Sequence, residues 1–169
     1  MAHDPELLPQ YLLRPGFLFI PDEAMQISAV LGSCVAVALF DRRHRRGGMN
    51  HFLYPSAPGP EQSTTLYGNV ATRVLIRSFL DTPSSQKHLE AMIFGGAAPE
   101  SMVETLGIAE KNIHIARFLL QKAGIPISVE DVGGTRGRKV VFDTASGESI
   151  VYRAERLRQG DWYPYAGMR

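Results

Sequence analysis

Cys34 is the only cysteine in the 169-residue chain, and His51 is one of five histidines. They flank a charged segment, DRRHRR at 41–46, that separates two apolar runs, LGSCVAVALF at 31–40 and GMNHFLY at 48–54. A thiolate beside an imidazole suits acyl transfer: the sulfur attacks a carbonyl carbon and the ring moves the proton. A neighbouring imidazolium lowers a cysteine pKa from about 8.5 to between about 3.5 and 7.5. Taken singly, a cysteine in an apolar strand is ordinarily an inert buried side chain, and a lone histidine a structural one. Gly32-Ser33 just before the cysteine adds a third component, a backbone able to bring amides close to a substrate oxygen.

Whether these groups meet depends on the elements that carry them. Two short apolar runs joined by a polar block read as a β-hairpin. With residues 41–46 as its loop, Phe40 faces Gly47, Ala38 faces Met49, Ala36 faces His51 and Cys34 faces Leu53. Cys34 and His51 then share a face as diagonal neighbours, with Cβ atoms roughly 7–8 Å apart. A slip of one residue would send His51 to the other face. Ser28, six residues before Cys34, lies in a strand-like run, MQISAV at 25–30, that leads into this hairpin.

Global composition bounds the class. The length fits one domain spanning 1–169, with 1–15 a loosely held lead-in and 155–169 a loosely held tail. Hydrophobic content of 44% and charged content of 21% are those of an ordinary globular protein. The net charge of +1 gives no global pull toward nucleic acid or membrane, and a lone cysteine excludes a multi-cysteine zinc site. No apolar run approaches about 20 residues and the N-terminus lacks a signal-peptide pattern, so the expectation is a cytoplasmic protein without membrane insertion. The basic segment at 42–46 lacks interleaved aromatics and reads as a solvated hairpin tip rather than a nucleic-acid patch.

Further along, a Pro/Ser/Thr-rich loop at 55–66 precedes a helix at 67–80, with Val70, Val74, Leu75 and Phe79 on its apolar stripe. Residues 89–96 read as a buried strand. A second helix spans 109–124, with Ile108, Ile115, Ala116, Leu119 and Ala123 as its apolar face. A strand at 126–134 and a hairpin at 138–153 follow. Strands outnumber helices and most connections are hairpins, so the expected class is α+β. Sheet packs on sheet in a sandwich-like arrangement of mixed sheets, with two helices covering the outer faces.

The run LGSCVAVALFD…GGMNHF resembles the signature of the chemoreceptor glutamine deamidases, the CheD family of bacterial chemotaxis. YGNVA at 67–71, FGGAA at 94–98, IAEKN at 108–112, DVGGTRGRKV at 131–140 and TASGESIVYR at 144–153 fit the same pattern in order. The resemblance implies a fold similar to that of cysteine deamidase toxins. It implies hydrolysis of glutamine side chains on methyl-accepting chemotaxis receptors, with Cys34 as nucleophile, His51 as acid and base, and Gly32 and Ser33 at the oxyanion. Ser28 stands where that family usually has a threonine as third catalytic residue. No cofactor or metal is implied. Receptor glutamate methyl-ester hydrolysis and partnership with a CheC phosphatase are implied as further properties. Two other classes stay open on the residues alone: a non-catalytic regulatory module acting on a CheC-type phosphatase, and a redox-active single-cysteine protein. The aromatic tail with Trp162, Tyr163 and Tyr165 falls outside the resemblance and reads as a disordered end or a docking segment.

Overall fold

A computed structural model describes residues 8–154. The tail aromatics therefore lie outside the described residues. The strands are β1 (Gln10–Leu12), β2 (Leu18–Phe19), β3 (Gln26–Leu31), β4 (Val35–Asp41), β5 (Arg46–Asn50), β6 (Leu89–Gly95), β7 (Ile127–Val132), β8 (Gly137–Asp143) and β9 (Ser149–Ala154). Helix α1 (Gly68–Leu80) falls between β5 and β6, and α2 (Val103–Lys122) between β6 and β7. One sheet has four strands in the order β1-β3-β8-β9, the other five in the order β2-β5-β4-β6-β7.

Burial explains how these layers stack. Strand β4 is buried at every position, as expected of a central strand covered on both faces. Its Val35, Val37 and Leu39 join Leu75 and Phe79 of α1 and Ile113 and Leu120 of α2. Its Ala36, Ala38 and Phe40 point the other way, toward Ile27, Ala29, Leu31, Val140 and Phe142 of the four-stranded sheet. The order through the molecule is thus helices, five-stranded sheet, four-stranded sheet. Each fully buried side chain such as Phe142 contributes about 1.5–3 kcal/mol to this stacking.

The α+β class and the sheet-on-sheet core agree with the sequence reading, but the helices do not cover both outer faces. Both lie on the five-stranded sheet. The reason is connectivity: α1 and α2 each link strands of that sheet, and a crossover packs on the sheet whose strands it joins. The outer face of the four-stranded sheet carries Ile150 and Tyr152, 55% and 51% exposed. Helical phasing also differs from expectation. Helix α1 buries Ala71, Thr72, Leu75, Ile76 and Phe79 and leaves Val74 exposed. Helix α2 starts at Val103, turns Ile108 outward and buries Ala109, Asn112, Ile113, Ala116, Leu119 and Leu120. Small residues at 71, 109 and 116 let the helix backbones approach the sheet, which outweighs the larger side chains in setting the buried face.

The hairpin register matches the derived one. Phe40 pairs with Gly47 and Ala38 with Met49, and an isolated bridge between Val35 and Phe52 continues the alignment past the ladder. The lead-in differs: residues 10–12 form β1, parallel to β3, and Leu13 behind it is fully buried.

Candidate active site

Between β3 and β4 the chain leaves one sheet and enters the other, and Gly32, Ser33 and Cys34 are the residues that make this step. Their carbonyls are all engaged from outside the turn. Ala97 N–H donates to Gly32 O (2.8 Å), Asn112 Nδ2 to Ser33 O (3.0 Å) and Gly96 N–H to Cys34 O (2.8 Å). Among the described residues the amides of Ser33 and Cys34 donate no backbone hydrogen bond to another residue. Gly95 adopts φ 107°, and a Cβ there would stand 2.2 Å from the Cys34 carbonyl oxygen, so only glycine allows β6 to approach the turn this closely.

His51 is held at three points. Its N–H donates to Phe17 O (3.0 Å), its carbonyl accepts from Gly16 N–H (2.8 Å), and its Nδ1 lies 3.0 Å from Leu13 O. A carbonyl can only accept, so Nδ1 carries the proton and Nε2 bears the lone pair. Nε2 is buried and has no hydrogen-bond partner. By the alternation of β5 and the Val35–Phe52 bridge, His51 shares a face with Met49 and with Cys34 across the hairpin. The structure thus brings the sulfur and the imidazole to the same side, with no hydrogen bond from Nε2 to the sulfur.

Electrostatics leave both groups neutral at rest. Burial pushes the Cys34 thiol above its ordinary value, although its own backbone amide pulls in the opposite direction. Burial likewise pushes His51 below the ordinary imidazole value against the opposing pull of the Leu13 carbonyl. Burial thus opposes the expected imidazolium-lowered thiolate, and favours a thiol and a neutral imidazole on one face of the hairpin. The reason is the closed inner face: His51 is 1% exposed, and an ion pair there would lose its hydration without the hydrogen bonds that could replace it. Cys34 itself is partly buried and packs against the core between the two sheets.

Ser28 is not brought to His51. In β3 the buried residues are Ile27, Ala29 and Leu31, so the Ser28 side chain projects from the opposite face of its sheet. Its backbone takes part instead: Ser28 O accepts from Leu13 N–H (2.8 Å), and Leu13 O accepts from the imidazole. The group orienting His51 is a peptide carbonyl, for which a sequence offers no side-chain signature.

Asn112 is the second residue that the sequence reading passed over. It is fully buried, and its Nδ2 donates both to Ser33 O and to Leu53 O (2.8 Å), tying the cysteine turn to the segment that follows His51. A polar residue one helical turn from Ala109 and Ala116 on the buried face of α2 is its visible signal. The loop at 55–66 folds back through Leu53 and Tyr54 N–H donated to Leu66 O. Among the described residues no group of three or more His, Cys, Asp or Glu side chains has the geometry of a metal site. No helix there is long and apolar enough to cross a membrane.

A family model described as "CheD chemotactic sensory transduction" matches residues 54–153. The chain is 37% identical over 154 residues to the protein named "Probable chemoreceptor glutamine deamidase CheD" of Trichlorobacter lovleyi, a match covering 89% of this chain and 94% of that one. A stretch of that extent necessarily includes residues 34 and 51. Proteins of the same name from Sulfurimonas denitrificans and Rhodospirillum rubrum are 39% and 40% identical, covering 79% and 85% of this chain and 87% and 82% of theirs. Among solved structures, the hypothetical protein YfiH of Bacillus licheniformis aligns with a TM-score of 0.38 and 17% identity over 63% of this chain and 46% of its own.

Proposed function

This chain belongs to the CheD family, and we propose that it is a protein-glutamine deamidase that converts glutamine side chains of chemotaxis receptors to glutamate. The observation that carries the reading is the imidazole whose Nδ1 is tied to the Leu13 carbonyl and whose bare Nε2 lies on the face shared with Cys34. Such a ring accepts a proton at one defined atom.

In the reaction, Cys34 Sγ forms a bond to the carboxamide carbon as its proton passes to His51 Nε2. Because the resting pair is neutral, this transfer accompanies attack rather than preceding it. The amides of Ser33 and Cys34 receive the developing oxyanion. The carbon–nitrogen bond breaks as Nε2–H protonates the amine, and ammonia leaves. Water then attacks the thioester with Nε2 as base, giving the glutamate carboxylate and the free thiol. Each step uses only this chain and water.

The same electrophilic carbon occurs in a glutamate methyl ester, so ester hydrolysis is the finer extension of the proposal. A CheC-type phosphatase as regulatory partner and a cytoplasmic location complete it. The test is mass spectrometry of receptor fragments incubated with the protein. The reading expects a Gln-to-Glu mass change that disappears with Cys34→Ala; fragments left unchanged by the wild-type protein refute it.

A further inference from the structure

The ladder between β4 and β5 breaks just before His51. Backbone pairing runs from Asp41–Arg46 to Ala38–Met49 and resumes at the Val35–Phe52 bridge. There Val35 N–H donates to Phe52 O (3.1 Å) and Phe52 N–H to Val35 O (2.9 Å). Between the two, Val37 faces Asn50 and Ala36 faces His51 without backbone pairing. In this open rung Val37 N–H donates instead to the Asn50 side chain at 2.8 Å. A backbone amide only donates, so the atom it meets is Oδ1. The carboxamide stands where the residue's own carbonyl would complete an antiparallel pair.

The substitution comes at a cost. Asn50 is fully buried, and its Nδ2 has no hydrogen-bond partner among the described residues. An orphaned buried donor is destabilising, and a plain backbone pair would fill the rung without one. What the break achieves shows on the other edge of β5. Asn50 pairs with Leu18 of β2, His51 N–H donates to Phe17 O, and His51 O accepts from Gly16 N–H. Residues 50 and 51 are thus bonded toward the β2 side, while a side chain props them off β4. Ala36, opposite His51 in the continued register, and Cys34 lie across that gap.

We propose that Asn50 is a positioning residue for the hydrolysis: its carboxamide, by occupying the open rung, fixes how far the imidazole of His51 stands from the sulfur of Cys34. It acts through the backbone of the next residue, not on the reacting atoms. The inference rests on the deamidase reading for the reaction it serves, whereas the open rung is a feature of the fold itself. Two constraints then define the ring: Leu13 O holds Nδ1, and Asn50 sets the backbone that carries the side chain. Without the carboxamide, the carbonyl of residue 50 is free to accept from Val37 N–H, which draws residue 51 toward β4. A displacement of about 1 Å in a catalytic group is worth on the order of a hundredfold in rate.

The test compares two variants at this position with Asp41→Ala at the far end of the same hairpin. Asn50→Leu keeps the volume without an acceptor, and Asn50→Ser is a smaller change whose hydroxyl is too short for the rung. Ammonia release from a receptor glutamine peptide is scored per folded molecule. The proposal expects kcat to fall about a hundredfold in Asn50→Leu and about tenfold or more in Asn50→Ser, with KM within about twofold. Asp41→Ala loses stability but keeps kcat, which separates positioning from a general loosening of the hairpin. Where Asn50→Leu does not fold, Asn50→Ser carries the comparison. A kcat within about threefold of wild type in Asn50→Ser, a loss carried by KM, or an equal loss in Asp41→Ala overturns the proposal. A substrate-free measurement decides it independently. The Nδ1–H of His51, followed by NMR, should exchange with water about tenfold faster in Asn50→Ser than in wild type, and an unchanged rate overturns the positioning role. A wild-type chain that releases no ammonia while that exchange difference holds refutes the deamidase reading alone.

Discussion

The two ends of the β4–β5 hairpin are built on opposite electrostatic terms. At the tip, Asp41 is fully buried and its carboxylate accepts from Ser84 Oγ, His44 Nδ1 (2.8 Å), Arg43 N–H (2.8 Å) and His44 N–H (3.0 Å). Burial alone would push that carboxyl up, but these donors outweigh it and hold its pKa at about 2. At the base, 1% exposed His51 keeps an unpartnered Nε2, Asn112 Oδ1 is also without a partner, and burial holds Cys34 as a thiol. One end spends its polar groups on holding the turn. The other keeps them buried and unsatisfied, a pattern that marks functional sites.

The largest way to break this contrast is at the base. Cys34→Ala and His51→Ala should each lower ammonia release from a receptor glutamine peptide by about a thousandfold or more. His51→Ala, which empties a buried site and unpairs the Leu13 carbonyl, should also cost about 1–3 kcal/mol. Cys34→Ala should leave thermal unfolding nearly unchanged. Asp41→Ala should do the reverse. It leaves the hydroxyl of Ser84 and two amides facing a void and should cost about 2–4 kcal/mol in denaturant unfolding, with catalysis per folded molecule retained. Asn112→Ala couples the two properties. Loss of the tie between Ser33 and Leu53 should reduce kcat about tenfold and stability by about 1–3 kcal/mol, because the carbonyls it served become unpaired.

Titration sharpens the comparison further. His51 is depressed in the fold, so the unfolded chain takes its proton first. Stability should therefore fall as pH drops below about 6.5, and this loss should be missing in His51→Gln. Asp41 is depressed too, but as an acid: its contribution of about 2 kcal/mol is present above pH about 3.8 and fades only as pH falls toward about 2. The base of the hairpin should thus weaken before its tip on acidification. Alkylation of Cys34 should have a midpoint above the ordinary thiol value; a plateau below pH about 7 would show an ion pair instead. The smallest effect belongs to Ser28→Ala, expected to change ammonia release by less than about twofold, since the hydroxyl faces away from His51.

The hairpin was legible because a purely polar block fixed its loop and a side-chain period of two fixed everything after it. That is why the shared face of Cys34 and His51 followed from spacing. Ser28 was misassigned for the complementary reason: its face depends on β3, whose pairing with β8 and β1 is remote in sequence. Leu13 left no trace because its carbonyl, not its side chain, does the orienting. Asn112 was visible as a polar residue in α2, but Ile108 and Ile115 drew the apolar face toward the wrong side, and the small residues Ala109 and Ala116 decided the packing. Which sheet the helices cover depends on the order of connections, a property that local periodicity does not carry.

Intact-protein mass spectrometry after acid quench of a short reaction with a receptor glutamine peptide tests the central claim most directly. The account predicts an adduct on Cys34 equal to the peptide less ammonia, present at early times in the wild-type chain and absent from Cys34→Ala. Glutamate product formed at the wild-type rate by Cys34→Ala, with no adduct on the sulfur, would contradict it.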